Sequence, residues 1–141
     1  MPGFENKIWG IKYNEPYSAM CYKKVCVLGN CTKVPYPCPG MRKKYFDVYI
    51  GYNYPSVSAS EQLTIHGCAK VAIDTATPIV QGPAATCLTA GAACIPPVAK
   101  AVVIANKVCR ETFFACLKTA KLPQEVINKC QIGVYTRHGN A

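Results

Sequence analysis

Apolar and polar positions follow two different rhythms along this chain. In the first half they alternate or fall into short runs. Met20-Cys21-Tyr22-Lys23-Lys24-Val25-Cys26-Val27 reads as a strand, Gly29-Asn30 as a turn and Cys31-Thr32-Lys33-Val34 as the returning arm of a hairpin. Tyr45-Phe46-Asp47-Val48-Tyr49-Ile50-Gly51-Tyr52 reads as a further strand, bounded by Pro39-Gly40 and Pro55. The alternation of Gln62-Leu63-Thr64-Ile65-His66, continued by Val71-Ala72-Ile73, predicts another. Residues 16–74 are therefore expected to be mainly β, as a small antiparallel sheet. Residues 1–15 read as an N-terminal arm able to dock on a neighbouring copy.

Beyond residue 74 the period changes. Residues 83–94 look helical, with Pro83 in the opening turn, and Ile95-Pro96-Pro97 forces a break because proline cannot continue the hydrogen-bond ladder. Residues 98–121 read as a longer helix stopped by Leu122-Pro123. On its wheel Ala101, Ala105, Val108, Cys109, Thr112, Phe113 and Cys116 share one side, while Lys100, Lys107, Arg110, Glu111, Lys118 and Lys121 gather opposite. Residues 127–137 predict a last strand returning to the sheet. Strands followed mostly by helices give an α+β fold, read as a single disulfide-rich domain over 1–141.

Cysteine usage sets the compartment. Cys21, Cys26, Cys31, Cys38, Cys68, Cys87, Cys94, Cys109, Cys116 and Cys130 make ten in 141 residues, an even number at high density. Zinc sites need close pairs, often with histidine, and the only histidines are His66 and His138. All ten are therefore expected in disulfides, with no metal and no cofactor, in a secreted or extracellular protein. No signal peptide is visible near Met1. The pairs Cys87-x6-Cys94 and Cys109-x6-Cys116 suggest a stapled helical hairpin, since residues seven apart share one helix face. The nested pairing is Cys87–Cys116 with Cys94–Cys109. Cys87–Cys109, with Cys94 tied to the sheet, is the better axial match.

Sixteen Lys and Arg against seven Asp and Glu leave a formal charge of +9. The cations cluster at Lys23-Lys24, at Arg42-Lys43-Lys44 and along the second helix at Lys100, Lys107, Arg110, Lys118 and Lys121. These ten are the candidate contacts to an anionic membrane or polysaccharide surface. No helix-turn-helix, zinc-finger or aromatic RNA-binding signal accompanies them, so sequence-specific nucleic-acid binding is not expected. The charge-free, small-residue stretch 75–99 is expected to be buried core rather than an insertion hairpin, because prolines interrupt it. The resulting expectation is a cationic, antimicrobial or toxin-like protein acting on anionic surfaces.

Two other readings remain open. Tyr36, Tyr45, Tyr49, Tyr52 and Tyr54, with Trp9, Tyr13 and Tyr17, suggest a glycan-binding or self-assembling module, with the arm or this aromatic face joining copies. His66 and His138 suggest metal-free RNA cleavage, provided the last strand brings them together. The even cysteine count opposes a thiol nucleophile. Asn30-Cys31-Thr32 fits a glycosylation sequon.

Overall fold

The hairpin read near residue 29 organises the whole first third of the chain. Leu28 and Gly29 are its two turn residues, both with positive φ (51° and 80°), the type I′ geometry that suits the twist of the flanking strands. The turn thus sits one residue earlier than Gly29-Asn30, because glycine occupies the second central position. The computed structural model describes residues 3–87 and 91–141.

Strand β1 spans Gly3–Val27 and β2 spans Asn30–Asn53, paired antiparallel from Val27↔Asn30 to Gly3↔Asn53. A register shift between Lys7 and Trp9 marks a bulge. The expected arm is therefore not free: residues 4–15 lie within β1, held by the ladder to β2. Strand β3, Gln131–Asn140, pairs with β2 from Gln131↔Asn53 to Asn140↔Lys44, giving the order β1-β2-β3. The return strand expected over 127–137 is found from residue 131 on; residues 127–129 are helical instead.

Because β3 reaches only to Lys44, the two longer strands continue alone. Residues 14–43 form a two-stranded ribbon beyond the three-stranded body, extending for about 45 Å at roughly 3.3 Å per residue.

Helix α1 is Ala59–Ala84, where a strand was expected at residues 62–66 and 71–73. Five alternating residues fit either period, so the longer stretch beyond them decides. Ile65, Cys68, Ala69, Ala72, Ala76 and Val80 recur at helical spacing, and all are buried. The start is fixed by a capping box: the Ser58 hydroxyl accepts from the Glu61 backbone N–H, and the Glu61 side chain accepts from the Ser58 N–H. Pro83 does not open a helix but lies at the end of this one. Of the helix expected over residues 83–94, Leu88, Thr89 and Ala90 fall outside the described residues; Gly91–Cys94 is a 3₁₀ turn.

Helix α2, Ile95–Thr119, begins at the Pro-Pro pair rather than after it, with proline in its first turn where no donor is needed. It buries Val98, Ala101, Val102, Ala105, Cys109, Phe113 and Leu117, a stripe close to the one read from the wheel. Lys121 takes a positive φ of 60° after its end, and a short helix α3, Gln124–Lys129, leads into β3.

The two long helices pack on the sheet face that carries Phe46, Val48, Ile50, Ile132 and Val134, forming one hydrophobic cluster. The 75–99 stretch is core only in part: Ala76, Val80, Ala84, Cys94 and Val98 are buried, whereas the small residues Gly82, Ala85, Ala92 and Ala93 are exposed. Asn106 on α2 accepts from the Val134 N–H at 3.0 Å, tying the helix to the outer edge of β3.

Four disulfides link the described residues. Cys68–Cys116 joins α1 to α2, Cys87–Cys94 closes the turn between them, and Cys21–Cys38 and Cys26–Cys31 cross the ribbon. The helical hairpin is stapled, but by Cys68, which the sequence pattern assigns to a strand region. None of the three pairings weighed from sequence occurs. Cys109 and Cys130 are free and buried instead of bonded. Burial pushes the Cys109 thiol up to about 11 and raises Cys130 as well.

Candidate functional site

The ribbon is the part of the molecule that the core does not explain. Residues 14–43 contain five cations, Lys23, Lys24, Lys33, Arg42 and Lys43, and one acid, Glu15, which faces Arg42 across the strands at the base. All five are exposed. So are Met20, Tyr22, Val27, Leu28 and Met41, with Leu28 at the tip 98% accessible. Apolar side chains usually leave water where a fold can cover them, and nothing among the described residues covers these.

Two of its cations lie over aromatic rings. The Arg42 guanidinium lies 4.3 Å from the Tyr17 ring centroid, and the Lys23 ammonium 5.9 Å from that of Tyr36. Lys24 and Lys33 face each other directly across the two strands. Like charges at such a pair are destabilising, and the Cys26–Cys31 bridge two residues from Lys24 and Lys33 holds them there. Sequence reasoning missed Lys33, yet the register was available: a hairpin turning next to Cys26 and Cys31 puts residue 33 opposite residue 24.

Of the ten cations chosen from sequence, nine stay solvent-facing and one does not. Lys44 bonds Glu15 at 2.7 Å, and that hydrogen bond holds the Glu15 carboxyl below its usual range. Glu15 is thus an acid that neutralises the Arg42-Lys43-Lys44 cluster in part. Lys100, Lys107, Arg110, Lys118 and Lys121 are exposed on or just after α2, away from its buried stripe. The ten cations chosen from sequence therefore fall along the ribbon and its base and on the outer side of α2, while Lys7, Lys12, Lys70, Lys129 and Arg137 lie elsewhere. Among the described residues one helical stretch, Gly91–Thr119, is long and apolar enough to cross a membrane by length and composition, with mean hydropathy 1.4.

The aromatic residues split into different settings. Tyr54 is buried, and Trp9, Tyr13 and Tyr52 pack against the core. Tyr49 stacks on Tyr135 on the sheet face opposite the helices, with Arg137 over both rings and bonded to Glu5. Tyr135 also donates to Glu5, and its hydroxyl is pushed up to about 12 by desolvation and this carboxylate. A shallow depression of about 610 Å³ lies here, lined in part by Lys12, Tyr45, Tyr49 and Arg137.

The histidines do not meet. His66 is on α1, its Nδ1 2.6 Å from the Tyr52 hydroxyl and its Nε2 3.2 Å from that of Tyr54. Gln62 donates to the Tyr54 hydroxyl, and Phe4 sets its ring edge-on to the imidazole. Both ring nitrogens are thus spent bracing α1 against the end of β2 and Tyr54 just beyond it. His138 pairs with Phe46, six residues along β2 from Tyr52, or about 20 Å. An acid and a base that far apart do not share a phosphodiester. Among the described residues no group of three or more His, Cys, Asp or Glu is placed to hold a metal ion.

No known family model, curated protein or solved structure matches this chain.

Proposed function

We propose that this is a secreted cationic protein that binds anionic surfaces, lipid membranes foremost, through the disulfide-bridged ribbon. The observation that carries the reading is the ribbon's composition in place: five exposed cations against one acid, Glu15 at its base, and a bare leucine at its tip. Four disulfides are compatible with an oxidising, extracellular setting. Each Lys or Arg near an anionic membrane contributes about 1 kcal/mol, and the tip apolar residues add insertion energy once the cations have brought them close. The Lys24–Lys33 repulsion favours the same event, because a phosphate between the two ammonium groups relieves it. The cations of α2 give a second, weaker contact, since the apolar stripe of that helix is already used in the core.

The test is binding to vesicles of phosphatidylglycerol and phosphatidylcholine against phosphatidylcholine alone. Binding and leakage confined to the anionic vesicles are expected. Lys24→Glu with Lys33→Glu removes two favourable terms and should weaken binding about 30-fold or more. Equal binding to neutral vesicles, or no change in the double variant, overturns the reading.

The stacked Tyr49–Tyr135 pair with Arg137 favours a second reading, a face that stacks on acidic sugars. Tyr49→Ala abolishing glycan binding while leaving vesicle binding intact would establish it.

A further inference from the structure

The ribbon has two long edges, and they are chemically different. In a two-residue turn the flanking pair, Val27 and Asn30, is hydrogen-bonded, so the next pair, Cys26 and Cys31, is not. Their Cα separation of 4.0 Å agrees. Alternation then makes Lys24/Lys33, Tyr22/Pro35, Met20/Pro37, Ser18/Pro39 and Pro16/Met41 non-hydrogen-bonded pairs as well. In such pairs the backbone N–H and C=O point away from the partner strand, toward the open edge.

On the β2 edge, the outward positions 35, 37 and 39 are all proline. Three consecutive outward donors are missing, so this edge cannot accept another strand. On the β1 edge the outward Pro16 also lacks a donor, but the five outward positions beyond it, Ser18, Met20, Tyr22, Lys24 and Cys26, keep theirs. At the far side of the body, the β3 edge is partly closed by Asn106, which takes the Val134 N–H. Edges left open are templates for pairing, and this chain has blocked one and left the other.

We propose that a second copy of this chain pairs antiparallel with β1 along residues 14–26, about a two-fold axis at Met20. Residue i then faces residue 40 − i of the partner, which keeps the cations apart: Lys23 lies opposite Tyr17, and Lys24 opposite Pro16. The product is a four-stranded ribbon in the order β2-β1-β1-β2. Both of its outer edges are the proline-blocked β2, so the assembly closes at two copies and does not grow into a fibre. This goes beyond surface binding and is tested without lipid, so each idea can fail alone.

The experiment is analytical ultracentrifugation with amide hydrogen exchange at 0.15 M salt, where screening confines repulsion to about 8 Å. The expected mass is twice 15.3 kDa. The expected exchange pattern is protection at Ser18, Met20, Tyr22, Lys24 and Cys26 that rises with protein concentration. Alternate residues Ala19, Cys21, Lys23 and Val25 are protected by the β2 ladder at every concentration. Tyr22→Pro removes one outward donor and no bond to β2, so it should leave a folded monomer. Replacing Pro35, Pro37 and Pro39 by alanine should give assemblies larger than a dimer. A monomer with freely exchanging even-numbered amides overturns the proposal, as does a folded Tyr22→Pro protein that still dimerises. A triple variant that stays dimeric overturns the role of the prolines. Should Tyr22→Pro fail to fold, the wild-type exchange pattern decides.

Discussion

Single residues at the ribbon tip sit where stability alone would not put them. Leu28 adopts a positive φ that costs an L-residue about 1 kcal/mol, and its side chain gains nothing by burial. Asparagine tolerates that conformation far better. Leu28→Asn should therefore raise the melting temperature, measured by calorimetry, and weaken binding to anionic vesicles. Lys33→Glu should do the same by a different route, replacing a repulsive cross-strand pair with an attractive one for a gain of up to about 1 kcal/mol. If either change strengthens vesicle binding, the tip is not the contact. The free thiols make a separate prediction. Native, unreduced protein should resist iodoacetamide, because Cys109 and Cys130 are buried and held in the protonated form. Added denaturant without reductant should expose two alkylatable sulfurs by mass, against none if all ten cysteines were bonded.

At the scale of elements, the strands were more legible than the helices. Turn signals and alternation are local, so 20–27, 31–34 and 45–52 read as strands, but the first half of β1 reads as an arm and β2 as two strands parted at Pro39-Gly40. Helix α1 was hidden because residues 62–66, near its start, alternate by accident. The Ser58–Glu61 capping box and the spacing of Ile65, Cys68, Ala72 and Ala76 were the signals that could have revealed it. Misreading that element also hid the true helix staple, since Cys68 belongs to it. Disulfide partners are a tertiary property, and no spacing rule could select Cys68–Cys116 over the nested pairs. The cationic site was half legible: charge was visible, but the pairing of Lys44 with Glu15 and the opposition of Lys24 and Lys33 need the register. Removing the helix bridge with Cys68→Ala and Cys116→Ala should cost about 4 kcal/mol, the loop-closure entropy of a separation of 48 residues, read by urea unfolding. Ser58→Ala should cost about 1 kcal/mol by the same measurement.

For the whole molecule, the buried thiol sets how stability responds to alkali. An unfolded Cys109 gives up its proton near pH 9, whereas the folded one keeps it to about 11. Over that interval the folded state holds more protons, so stability falls as pH rises. The melting temperature should decline between pH 9 and 11, and Cys109→Ala should flatten the decline even though it lowers the starting value. Tyr135, held neutral to about 12, extends the loss above pH 10. Glu15 acts in the other direction: its carboxyl is depressed, so its ion pair with Lys44 is lost as pH falls through the acid range. A melting temperature that stays flat from pH 9 to 11 would show that Cys109 is open to solvent.

The strands of the ribbon do not end at the body; they run on as an edge and the centre of the sheet beneath the helices. Mechanically the ribbon is a cantilever whose root is the hydrophobic core. A load taken at Leu28 is carried inward along both strand axes, and the two cross-links keep the beam from splitting before it reaches Phe46 and Val48. Reducing only those two bridges should turn a stiff probe into a slack tether while the anchored end stays intact.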